Sequence, residues 1–209
     1  MMVDGRNEIE KGLMWLIIFA LFVVLIFAFD VEASEHDRAQ EVSDVMYQLL
    51  EEAPGRKLYT DHAKRLSFAR DIVMASDIGN VPEFLLTSLV YRESSFRTNA
   101  IAQDKPTVGL GQIFRNGVAS KDCDLKTRLG QLICSAKFLR ICYDKCGSWE
   151  SGLTAYATPG YCSSSDGHTK WSARSRIKMW QKFEKQRERI REEIQDDLEH
   201  YADLKDGWQ

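Results

Sequence analysis

From residue 34 onward the apolar residues of this chain recur every three or four positions, and the runs stop at glycine, asparagine or proline. No stretch alternates β-branched with polar residues. A chain patterned this way has no face with which to build a sheet, so the expected fold is mostly α, with loops arranged around a site. In "SEHDRAQEVSDVMYQLLEEAPG" the residues Val42, Val45, Met46, Leu49 and Leu50 mark a helix that starts at Ser34 and stops at Pro54-Gly55. "YTDHAKRLSFARDIVMASDIGN" is a second, with Thr60 or Asp61 as N-cap and Gly79-Asn80 as the stop. "VPEFLLTSLVYRES" is a third, with Pro82 in the first turn, where its missing N–H costs nothing.

Residues 97–111 read as a loop punctuated by Pro106, Gly109 and Gly111. "LKTRLGQLICSAKFLRICYDKC" returns to helical spacing and ends at Gly147, and "SWESGLTAYA" is a short helix capped by Ser148. The stretch from Arg174 to Leu204 is long, charged and helical. It is mostly basic from Arg174 to Arg191 and mostly acidic from Glu192 to Asp203, against the preference of the helix dipole. Its apolar stripe of Ile190, Ile194, Leu198 and Tyr201 is thin. The expected role is self-association or pairing with an oppositely patterned partner, set against a plain solvated tail.

The whole chain has 209 residues, enough for one domain of about 150 residues with appendages. Its net charge of -3 argues against a general nucleic-acid binder. Leu13 to Phe29, "LMWLIIFALFVVLIFAF", is free of charge and about long enough to cross a bilayer. Arg6 and Lys11 precede it, and Asp30, Glu32 and Glu35 follow, so the positive-inside rule predicts a cytoplasmic N-terminus. The expectation is a retained anchor. Cleavage before Ser34 and an apolar core helix are the alternatives.

All five cysteines, Cys123, Cys134, Cys142, Cys146 and Cys162, lie beyond that run. Cys142 and Cys146 share a helix face, and His168 is the nearest histidine that a zinc site would recruit. Two disulfides with one cysteine left over are expected instead; Cys142 and Cys146 need not bond to each other, since each could reach a different partner, with Cys123 and Cys162 in loops able to approach that face.

Glu93 is a lone carboxylate at the end of the apolar third helix. Low dielectric and the carbonyl end of a helix both disfavour its charged form, which suits a group that donates a proton to a leaving oxygen. A solvated Glu93 paired with Arg92 or Arg97 is the alternative. The order of the segments around it carries more. "GNVPEFLLTSLVYRESSFRTNAIA", then "VGLGQI", then "GSWESGLTAYATPG" resembles the soluble-type lytic transglycosylase family, which shares its fold with goose-type lysozymes. That family's pattern is a helix ending in Glu-Ser-x-Phe, a Gly-Leu-x-Gln turn, and Ala-Tyr-Asn near Gly-Pro-Gly. The resemblance covers roughly Arg70 to Gly160, with weaker continuity to about Lys182.

By this resemblance Glu93 is the catalytic acid, and Ser94, Gln112 and Tyr156 are substrate-binding, with Phe96 at a packing position. Read without it, Gln112 is a surface amide and Tyr156 a core aromatic. The chain departs from the pattern at Ala157, where asparagine is usual, and at Gly111, where methionine is common. It departs also at Ala102, where serine is frequent, and in "ATPG", which is one residue shorter than the usual stretch. The departures touch the sugar contacts around Tyr156 more than the acid.

The resemblance implies cleavage of the N-acetylmuramic acid–N-acetylglucosamine bond of peptidoglycan, with a 1,6-anhydro product and without metal or organic cofactor. One glutamate would serve as acid and then as base, where most glycosidases need two carboxylates. The expected partners are peptidoglycan glycan strands, implied by the resemblance, the cytoplasmic membrane, from the apolar run, and either a second copy of the chain or an envelope-spanning assembly through the C-terminal helix; no nucleic acid is expected. The expected division is a cytoplasmic 1–12, an anchor or uncleaved signal over 13–29, a linker and helix over 30–56, a catalytic domain resembling the family over 57–182 outside the membrane, and a charged helix over 183–209. Two rivals remain. Asp104 could activate water, giving a hydrolytic muramidase, or the fold could persist as a catalytically silent glycan-binding scaffold. His36, His62, His168 and His200 are scattered without a zinc-protease motif, and Gly109-x-Gly111 lacks the rest of a phosphate loop.

Overall fold

A computed structural model of the chain describes residues 19, 34–51, 60–102, 106–114, 117, 123–159 and 161–206, the last ten without their side chains. The chain divides into two compact units, residues 1–38 and 39–209. In the first, Phe19 and residues 34–38 are helical. Among the described residues no helix is long and apolar enough to cross a membrane, and this overturns the expected single-pass location in the cytoplasmic membrane. The helices of sufficient length carry charges throughout, such as Lys137, Arg140, Asp144 and Lys145 in a single one. The segment 13–29, on which the expectation was placed, lies outside the described residues apart from Phe19.

The second unit is mostly helical, as the spacing of its apolar residues requires. Its elements are α1 (residues 39–51), α2 (His62–Gly79), α3 (Glu83–Ser94), the strands β1 (Thr107–Val108) and β2 (Ile113–Phe114), α4 (Arg128–Cys146), α5 (Trp149–Ala157) and α6 (Gly167–Asp206). The ends follow local chemistry. Asp61 accepts from the Lys64 N–H, Ser148 from the Ser151 N–H, and Thr127 from the Gly130 N–H. Asn80 and Gly147 close α2 and α4 in the left-handed conformation. Pro82 stands immediately before α3.

One core joins these helices. Val42, Met46 and Leu49 of α1, Phe68 and Ile72 of α2, Phe84, Leu85 and Leu89 of α3, Leu132 and Leu139 of α4, and Phe183 of α6 are all buried in it. Residues 39–51, from the segment expected to be a linker and helix, are therefore a core element. Likewise the boundary drawn at residue 182 falls inside α6, which stays packed beyond it. Phe183 meets the Phe84 ring edge-on at 6.1 Å, and Arg187 is ion-paired with Glu83 of α3 and Glu41 of α1.

The α3–α6 pair runs antiparallel, because Arg187 reaches Glu83 at the start of α3 while Ser175 and Arg176 reach Arg92 and Glu93 at its end. α6 begins at Gly167, earlier than the charged run suggested. Asp166 starts it, accepting from the backbone N–H groups of His168 and Thr169 and from the Thr169 hydroxyl. Those bonds hold the Asp166 carboxyl below its ordinary range.

The region expected to be loop contains a small antiparallel hairpin. Thr107 pairs with Phe114 and Val108 with Ile113, while Ile101 bridges to Val108. Strands of two residues are too short to leave a period in the sequence.

Two disulfides form, Cys123–Cys134 and Cys146–Cys162, with Cα separations of 5.7 and 5.3 Å. Cys142 is the free cysteine. It is buried on α4, and that burial pushes its thiol up to about 11.

Candidate functional site

α3 ends abruptly at Ser94, the residue after Glu93. Ser95 and Phe96 both take positive φ values, 54° and 62°, which residues with side chains seldom adopt. The burial of Phe96 holds this turn: its ring lies edge-on to Phe68 at 5.7 Å and tilted against Tyr91 at 5.8 Å. Backbone strain that the surrounding packing enforces is a mark of positioned functional groups. Here it stops the helix where Glu93 can face open space.

That space is a cleft of about 660 Å³. α3 contributes Glu93, α6 contributes His168, Thr169, Ser172 and Arg176, and the hairpin contributes Thr107, Gln112, Ile113 and Phe114. Tyr156 and Ala157 of α5 and Phe138 of α4 complete much of the lining. Glu93 is the only carboxylate among the described residues that border it. Asp104 lies outside the described residues.

Three of the four expected site residues, Glu93, Gln112 and Tyr156, therefore border one cavity. Ser94 does not. It is 2 % exposed, and its hydroxyl donates to the Val90 carbonyl at 3.1 Å, which caps the helix from within.

Gln112 borders the cleft, but its amide is engaged in the protein. Its Nε2 donates to the carbonyls of Gly109 at 2.9 Å and Ala100 at 3.2 Å, and its Oε1 accepts from the Thr107 hydroxyl at 3.0 Å. With φ at 51°, Gln112 is the corner of the hairpin turn. Tyr156 supports the same turn from below, its hydroxyl donating to the Gly111 carbonyl at 2.7 Å. The phenol is buried beside Glu93, and burial first, the negative charge second, raise its pKa far above that of free tyrosine. It stays neutral.

This packing also accounts for Gly111. A Cβ there would lie 2.0 Å from Ser135 Oγ and 2.6 Å from the Tyr156 hydroxyl, so no side chain fits, methionine included. Gln131 of α4 secures the turn from the other side, accepting from the Leu110 N–H at 3.0 Å and donating to the Thr98 and Leu125 carbonyls. Ala157, at the position where asparagine was the usual residue, presents only a methyl group to the cleft.

Across from the hairpin, Glu93 meets a residue that sequence reasoning missed. Arg176 Nη2 donates to Glu93 Oε1 at 2.5 Å, and the two side chains are 6 % and 19 % exposed. Neither of the arginines next to Glu93 in sequence forms this pair. Arg92 donates to Ser175 and lies over the Trp171 ring, and the Arg97 Nε donates to the Ser94 carbonyl. His168, Thr169, Ser172 and Arg176 follow helical spacing and present one face of α6 to the cavity, which is the signal that could have pointed to them.

No protein-family model, no curated protein and no solved structure matches the chain.

Proposed function

We propose that this protein is a peptidoglycan lytic transglycosylase that uses Glu93 as its single acid and base. The observation that carries the reading is the cleft itself: among the described residues one carboxylate, at the strained end of an apolar helix, faces a groove with room for sugar rings. The gathering of Gln112 and Tyr156 around the same groove also supports it, since the family resemblance had brought both forward from separate segments.

In this reading Glu93 delivers its proton to the oxygen linking N-acetylmuramic acid to N-acetylglucosamine, and the bond from C1 to that oxygen breaks. The N-acetyl carbonyl of the muramic residue stabilises the cationic sugar. Glu93, now a carboxylate, takes the proton of the 6-hydroxyl as that oxygen closes on C1. The products are a 1,6-anhydromuramic end and a free N-acetylglucosamine hydroxyl, with no water consumed. No second carboxylate is needed.

The hairpin's part is to shape the groove, because the Gln112 amide and the Tyr156 hydroxyl already have protein partners. The phenyl ring of Phe138 and the Tyr156 ring, 5.0 Å apart, offer an apolar floor for a sugar face. Purified peptidoglycan incubated with the full chain should release fragments whose new muramic ends weigh one water less than reducing ends. Reducing ends alone would indicate a hydrolytic muramidase, and no release would leave a glycan-binding scaffold.

A further inference from the structure

The partner of Glu93 works against the task just proposed for it. A guanidinium never serves as the acid, because it does not give up its proton near neutrality. What it does to a carboxylate it touches is to favour the charged form. Arg176 is well placed for this. Its side chain is 94 % removed from solvent by the 6 % that remains exposed, and its hydrogen-bond and ion-pair partner among the described residues is Glu93. Its Nε finds no hydrogen-bond partner there at all. Water therefore screens the pair weakly, and among the described residues the guanidinium has no second carboxylate to share its charge.

Among the described residues, the other groups that border the cleft beside Glu93 bring no negative charge. From α5 comes Tyr156, a neutral phenol, and from α6 comes His168, which borders the same cleft. On α3 itself Arg92 adds further positive charge, engaged with Ser175 and Trp171. The described hairpin residues that line the groove, Thr107, Gln112, Ile113 and Phe114, carry no charge.

We infer that Arg176 is a positioning residue that holds Glu93 as an oriented carboxylate while the cleft is empty, so that substrate must loosen this pair before Glu93 can carry a proton. A sugar entering the groove displaces water and places its glycosidic oxygen against Glu93, which weakens the claim of Arg176 on the same oxygen atom. After proton transfer the carboxylate returns to Arg176. The meaning of this device for catalysis rests on the proposed function, but the effect of Arg176 on Glu93 exists without any substrate.

That effect is measurable directly. In the full chain labelled with carboxyl-¹³C glutamate, the Glu93 resonance, assigned by its loss in Glu93→Gln, is followed against pH in the wild type and in Arg176→Met. The Glu93 midpoint should rise by about one to three pH units in Arg176→Met. Arg176→Gln provides the same comparison should the methionine variant not fold. Equal midpoints in the wild type and a folded variant would overturn the inference. The pH profile of peptidoglycan cleavage should move to higher pH with the midpoint. A shifted midpoint in a protein that cleaves no peptidoglycan would leave the inference standing and remove the proposed function. Cleavage with unshifted midpoints would do the reverse.

Discussion

The two walls of the cleft are built on opposite plans. On the hairpin wall the polar groups turn inward: the Gln112 amide holds Gly109, Ala100 and Thr107, and the Tyr156 hydroxyl holds Gly111. On the α3–α6 wall a carboxylate and a guanidinium face each other at the edge of open space, with histidine, threonine and serine beside them. One wall is stabilised by its polar residues, while the other keeps charge available. Substitutions on the hairpin wall should thus appear chiefly as lost stability, and those on the α3–α6 wall as lost rate.

The largest contrast comes from Glu93→Gln, which keeps the shape and removes the transferable proton. Cleavage should fall by about 10²–10⁴-fold, and melting should change little by comparison. A variant that cleaves as fast as the wild type would break the distinction between the walls.

Next in size is the Cys146–Cys162 bond, which closes 16 residues and ties the end of α4 to the segment leading into α6. Its removal by paired serine substitutions should cost about 3 kcal/mol in a denaturant titration, because the unfolded chain regains the freedom of that loop. The rate per folded molecule should survive. The same substitution made at Cys123 and Cys134, whose bond closes 11 residues, should cost slightly less.

Gln112→Ala sharpens the comparison from the other side. It deletes three hydrogen bonds at a turn that has no spare donor in that side chain, so a loss of about 2 kcal/mol in unfolding free energy is expected. A full loss of rate with unchanged stability would mean that Gln112 acts on the substrate after all. Tyr156→Phe is the mildest change. It removes one bond to the Gly111 carbonyl and should cost about 1 kcal/mol while leaving the ring in the groove.

The same division describes what could be read from the sequence. Helices α2, α3, α4 and α5 were legible because their signals are local: Asp61, Asn80, Pro82, Gly147 and Ser148 each act within a turn of where they stand. Glu93 was legible because an acid at the end of an apolar helix is conspicuous at short range. The partnership with Arg176 was not, since it joins residues 83 positions apart and Arg176 sits in a run of charges that reads as a solvated face. The internal role of Gln112 was hidden for the same reason. Its amide bonds depend on how Ala100, Thr107 and Gly109 are brought around it, which two-residue strands do not announce. The apolar run at 13–29 was the strongest local signal of all, and the membrane location drawn from it was corrected by the described helices.

The central claim is that one carboxylate suffices because the sugar's own hydroxyl, not water, attacks the anomeric carbon. Digestion of purified peptidoglycan by the wild-type full chain in ¹⁸O-enriched water tests this in a single mass spectrum. The account predicts new muramic ends lighter by one water and free of ¹⁸O. One ¹⁸O atom at every new muramic end would contradict it, because a water molecule would then have been activated and added.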